Sequence, residues 1–69
     1  LTPEQKQKLE TINMLLEKAK ANEEKNKWDL AIGRYEYVLE LLKEIPVQIM
    51  NSEEIKEKIE ELKKKAGAN

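Results

Sequence analysis

The chain contains no cysteine, no histidine and no phenylalanine. Without cysteine there is no disulfide framework and no thiolate, and the redox compartment leaves no trace in the sequence. Without histidine, the side chain best suited to proton transfer near neutral pH is missing. Glycine and proline occur twice each, which excludes a collagenous or low-complexity chain and leaves no glycine-rich loop to cradle a phosphate. Trp28, Tyr35 and Tyr37 are the only aromatics. No apolar run approaches the roughly 20 residues that span a bilayer, and no signal-peptide pattern is present. The expected setting is soluble and cytoplasmic, without membrane insertion.

Charge of one sign is also missing in excess. Thirteen Lys and Arg residues against 14 Asp and Glu give a formal net charge of −1, so no long-range field favours nucleic acid or anionic lipid. The aromatics sit at helical core spacing with no basic groove around them, so base stacking is not expected either. All acids but Asp29 are Glu and all bases but Arg34 are Lys. Glu and Lys are among the better helix formers, which explains much of that preference.

What is present is helical periodicity. With 69 residues, the chain makes one domain at most and buries only about 60% of its unfolded surface, so residues 1–69 are expected to form a single small all-α domain, an antiparallel three-helix bundle. The first helix, about 3–24, opens on Thr2 as N-cap, Pro3 at the first helical position and Gln5 completing a capping box. Its core stripe is Leu9, Ile12, Leu16 and Ala19. Asn22 to Asn26 then carry no apolar residue; Asn26 either ends helix one in a left-handed conformation or caps helix two, and Asp29 suits the positive end of that helix.

Helix two is expected at about 27–45, stopping ahead of Pro46, whose ring disfavours helical geometry in the preceding residue. Trp28, Ala31, Tyr35, Val38, Leu42 and Ile45 fall on one stripe at about 100° per residue. Ile32 and Leu39 widen it on one side, Leu30, Tyr37 and Leu41 on the other. A helix apolar around so much of its circumference has two neighbours. The second is helix three, about 52–66, with Asn51 and Glu54 as a cap, Met50 stapled onto Ile55, and a narrow stripe of Ile55, Ile59, Leu62 and Ala66. Glu54–Lys58, Glu60–Lys64 and Glu61–Lys65 are ordered i,i+4 pairs on its wet side. Pro46 to Met50 form the connection, with Val47 or Ile49 turned inward.

Ala19, Asn22, Asn26, Trp28, Ala31, Tyr35, Val38 and Leu39 together resemble the tetratricopeptide repeat pattern over about residues 12–46. In that pattern a small residue in the first helix is followed by an aromatic opening the second, then by the Ala and Tyr of close packing and a closing aliphatic pair. One such pair followed by a third helix also resembles microtubule-interacting and trafficking domains. Both resemblances imply binding of a peptide or partner helix and no catalysis. The departures are a late Pro46 and Gly33 in a helix interior. The carboxylate clamp of some tetratricopeptide domains does not carry over, since the relevant stretch offers only Leu16 and Lys20. The third helix has no apolar residue left beyond its core stripe to line the groove of a trafficking domain.

No enzyme is expected. Ser52, the only serine, stands at a helix start where capping explains it. Glu53, Glu57 and Glu61 share a helix face with lysines, the pattern of a solvated surface. No metal, cofactor or small-molecule site is implied. The candidate partner-binding residues are Leu30, Gly33, Arg34, Tyr37 and Leu41. Leu30, Tyr37 and Leu41 form an apolar ridge that helix three covers only in part, with Arg34 beside it as a hydrogen-bonding anchor. Gly33 costs about 1 kcal/mol relative to alanine without easing the core, as where a partner backbone approaches closely. Met14 points away from the helix-one stripe as a second contact. The expected function is a non-catalytic interaction module for a peptide or partner helix of another protein, or for self-association. The alternative is an engineered or designed helical scaffold with no native ligand, since caps, ion-pair order and helix formers agree at every level.

Overall fold

The computed structural model describes residues 2–45 and 52–67. Three helices follow in order, α1 (Pro3–Glu24), α2 (Trp28–Leu42) and α3 (Ser52–Ala66). The start of α1 is the expected capping box: the Gln5 amide donates to Thr2 Oγ1 at 3.1 Å, and the Thr2 amide donates to Gln5 Oε1 at 2.9 Å. These two bonds satisfy donors that have no partner within the helix.

The α1–α2 turn resolves the two roles open to Asn26. Asn26 has φ 59°, its amide donates to the Glu23 carbonyl at 3.0 Å, and the Lys27 amide donates to the Asn22 carbonyl at 2.8 Å. This pair of bonds is a complete Schellman motif, and asparagine tolerates the left-handed conformation better than most residues. Asn26 therefore ends α1, and Lys27 stands at the N-cap of α2 with no side-chain bond.

α2 stops three residues short of the expected Ile45. Its exit tightens through amides of Glu44 and Ile45 that reach back three residues to the carbonyls of Leu41 and Leu42, at 3.0 and 3.3 Å. The pre-proline position disfavours helix at Ile45, and a tighter last turn satisfies carbonyls that a longer helix would have used. The expected Pro46–Met50 connection, the Asn51 cap and the Met50 staple lie outside the described residues.

α2 is the central helix. Both α1 and α3 pack against it antiparallel, while no Cα of α1 comes within 8 Å of α3 among the described residues. The core is Ile12, Leu15 and Ala19 from α1, Ala31, Tyr35, Val38 and Leu41 from α2 with Ile45 just beyond it, and Ile55, Ile59 and Leu62 from α3. Leu9, Leu16, Trp28, Ile32, Leu39 and Leu42 pack around it, partly buried. Leu15, absent from the expected stripe, takes the deeper place. It lies on the side of α1 that carries Lys8 and Asn22, which reach Glu44 and Arg34 of the α2 segment. Leu16 lies on the side of Glu23, toward the gap before α3.

Candidate interaction surface

The gap between α1 and α3 is bridged by side chains alone. Glu23, at the end of α1, accepts a hydrogen bond from Tyr35 Oη at 2.6 Å and lies 3.2 Å from Lys58 Nζ of α3. One carboxylate thus joins all three helices. Lys58, expected to pair with Glu54 on its own helix, reaches across instead; of the other two ordered pairs, Glu61–Lys65 forms at 3.6 Å, whereas Glu60 lies 3.9 Å from Lys63. At the far end of α3, Lys65 Nζ sits 5.2 Å from the centre of the Trp28 ring. Among the described residues, no buried side-chain nitrogen or oxygen lacks a partner.

Burial, then the hydrogen bond to Glu23 and the charge of that carboxylate, raise the Tyr35 phenol above its ordinary value of 10.0. An acid whose pKa is raised on folding keeps its proton in the native state after the unfolded chain has lost it. Above about pH 10 the native state therefore binds more protons, and stability falls as pH rises through that range. Tyr35→Phe is expected to flatten the alkaline limb of a stability–pH curve measured by urea denaturation between about pH 8 and about pH 11. A limb of unchanged slope would remove Tyr35 as its cause.

The candidate partner-binding residues divide into two kinds. Leu30 and Tyr37 are half-exposed, at 51% and 52%, whereas Leu41 is buried at 8%. Gly33 is exposed, and a Cβ built on it meets nothing within 4 Å. Arg34 is partly buried and donates from Nε to Asn22 Oδ1 at 2.9 Å. Its role as an anchor is thus taken up within the chain, holding the end of α1 to the first half of α2.

The helix beside this ridge is α1. Tyr37 and Leu41 line an open groove of about 530 Å³ with Gln7, Lys8 and Thr11 of α1, with Glu4 and Glu44 also in its lining. Lys8 and Glu44 are 3.2 Å apart across it. α3 lies on the opposite flank, where Leu39 and Leu42 meet Ser52 and Lys56 in a second groove of about 540 Å³. At Tyr37 and Leu41 the expectation that helix three partly covers this side is thereby corrected; Leu30 shares a pocket with Trp28 and with Ala66 at the end of α3. The two apolar flanks of α2 are distinct in sequence, but nothing in the pattern says which neighbour takes which. Met14 is 45% exposed, on the outer side of α1.

Among the described residues, no group of three or more carboxylates, histidines or cysteines is placed to hold a metal ion, and no helix is long and apolar enough to cross a membrane. No protein-family model, characterised protein or solved structure matches the chain. The fold defines the class: a small all-helical bundle of three antiparallel helices.

Proposed function

We propose that this bundle is a non-catalytic interaction module that docks a short peptide or a partner helix along the seam of α1 and α2. The observation that carries the reading is Tyr37. It is 52% exposed and lines, with the buried Leu41, an open groove against α1, while the core is complete without it. A half-exposed aromatic set in a groove of mixed polar and apolar lining is the kind of anchor that dominates binding energy at interfaces. The resemblance of the α1–α2 pair to a tetratricopeptide repeat, and of the three-helix arrangement to microtubule-interacting and trafficking domains, supports the same reading. Those architectures recognise peptides and helices through their surfaces.

Selection of a random peptide library on the immobilised domain, followed by fluorescence anisotropy, tests it. Binders are expected, and Tyr37→Glu is expected to weaken them by about tenfold or more, corresponding to at least about 1.4 kcal/mol, with helical content unchanged. Leu41→Glu is not a useful variant, because it would bury a carboxylate in the core. Binding that ignores Tyr37 would remove the site.

The second reading is a structural scaffold without a ligand. It is favoured by agreement between levels: capping box, Schellman motif and buried polar groups are all satisfied, as in idealised bundles. A monomer from which the library yields no binder would select that reading.

A further inference from the structure

We propose that the outer strip of α2 centred on Gly33 receives a basic amphipathic helix from another protein. This rests on the interaction-module reading above, extends its site from the seam at Tyr37 across the outer face of α2, and names the chemistry of the partner. The first support is Gly33 itself. Glycine in a helix interior lowers helix stability relative to alanine, and here nothing inside the chain requires it, since a Cβ would stand in open space. What its absence of a side chain does provide is a flat place where a second backbone can approach, between Leu30 one turn before it and Tyr37 one turn after. Both flanking side chains are half-exposed.

The second support is charge. The exposed residues of α2 and its exit around this strip include Asp29, Glu36, Glu40 and Glu44 against Lys43, while Lys56 of α3, which borders Glu36 and Glu40, is paired with Glu53 at 3.5 Å. Glu40 is occupied by Lys43 at 3.4 Å and Glu44 by Lys8 at 3.2 Å. Asp29 and Glu36 make no ion pair among the described residues. α3, by contrast, alternates five glutamates with five lysines. The acidic strip is therefore a local feature in a nearly neutral chain. It disfavours phosphate backbones and anionic lipid, and it also disfavours a second copy. A twofold pairing about Gly33 would bring Asp29, Glu36 and Glu40 of both copies to the same seam, where like charges repel. A helix with leucine-type residues on one side and Lys or Arg flanking them matches both the apolar centre and the acidic border. From Asp29 to Glu44 the strip runs about 22 Å, so roughly four turns of partner helix cover it.

The probe is a fluorescein-labelled Lys/Leu peptide of about 18 residues with leucines spaced i, i+3, i+4, i+7, measured by anisotropy. Two controls accompany it: the same composition with the leucine stripe scrambled, and the same stripe with Glu in place of Lys. Saturable binding of the Lys/Leu helix, lost with the scrambled peptide, is expected. The double variant Glu36→Lys with Glu40→Lys should weaken it by about tenfold at low salt, with the difference shrinking as salt is raised. Gly33→Ala should raise the thermal midpoint of the domain yet weaken the probe by about threefold or more, two effects of opposite sign that a merely structural role for Gly33 cannot produce. Equal binding of the Glu/Leu helix, or binding unchanged in the charge-reversed variant, overturns the proposal. Sedimentation that finds a dimer sensitive to Tyr37→Glu overturns it in favour of a second copy. If neither helix binds while the peptide library still yields Tyr37-dependent binders, the basic partner is wrong and the module reading stands. If the library also yields none, both fall.

Discussion

Leu62→Ala is expected to detach α3 while leaving the α1–α2 pair folded. Leu62 is fully buried, and a Leu-to-Ala change at such a site costs about 3 kcal/mol through lost transfer energy and the cavity left behind. For a chain of this size that is a large part of the total stability. The loss should not be shared evenly. α3 meets α2 alone by close backbone approach, so Ile55, Ile59 and Leu62 carry most of its docking, helped by Lys58 on Glu23 and Lys65 over Trp28. α1 and α2 keep Ile12, Leu15, Ala19, Ala31 and Val38 between them, with Arg34 tied to Asn22 and a Schellman turn at their junction. Native-state hydrogen exchange should therefore show amides of α3 losing protection in the variant well before those of α1 and α2. Uniform loss across all three helices would mean that the bundle is a single cooperative unit.

That asymmetry bears on function. If α3 opens at lower free energy than the pair, the flank of α2 bearing Ile32 and Leu39 is exposed part of the time, while the Tyr37–Leu41 side facing α1 stays constant. A partner on the α1–α2 seam then binds a preformed surface and does not have to wait for a rearrangement, which limits the ordering it must bring about.

How far the fold was legible in the sequence depends on the kind of residue asked about. Signals that act over one turn were readable: Thr2, Pro3 and Gln5 start α1 because unpaired amides need acceptors there. The stripes through Ile12, Ala19, Ala31, Tyr35, Val38, Ile55, Ile59 and Leu62 follow from 3.6 residues per turn. Asn26 was half legible, since asparagine serves both as a left-handed terminator and as a cap, and only the amides of residues 26 and 27 reaching back to α1 decide between them. Leu15 against Leu16 was not legible. Adjacent leucines straddle the same stripe, and which goes deeper depends on where the second helix lies. Lys58 illustrates the same limit for charge: a partner four residues away on its own helix is visible in the sequence, while Glu23 of α1 becomes a partner only once α2 holds the two helices apart at side-chain distance.

The candidate surface divides along that line too. Gly33, Leu30 and Tyr37 stand out in the sequence because each departs from what its own helix needs, and all three are exposed. Arg34 and Leu41 share their side of the helix but lie nearer α1. One is drawn into a bond with Asn22 and the other into the core. Periodicity assigns a side of the helix; the depth of each residue within that side is set by the neighbour's distance and tilt.

Trp28→Ala is expected to cost about 3 kcal/mol, toward the lower end for a large aromatic because the ring is only partly buried. The ring nonetheless does three things at one place. It begins the apolar stripe of α2, it packs against the edge of the core, and it lies beneath Lys65 at 5.2 Å, so the first turn of α2 and the last turn of α3 are fastened together there. The N-cap Lys27 makes no side-chain hydrogen bond, so the start of α2 depends on this packing more than the start of α1 does on its own. Lys65→Ala isolates the cation–π part and should cost no more than about 1 kcal/mol, since the pair is partly in water. Trp28→Phe should recover most of the stability lost in the alanine variant, because the aromatic area is largely kept. Urea denaturation followed by far-UV circular dichroism ranks the three variants. If Trp28→Ala and Lys65→Ala shift the midpoint equally, the contribution of Trp28 is the lysine contact alone. If Trp28→Ala does not shift it, the junction of α2 and α3 is held by Ile59 and Leu62 without the ring.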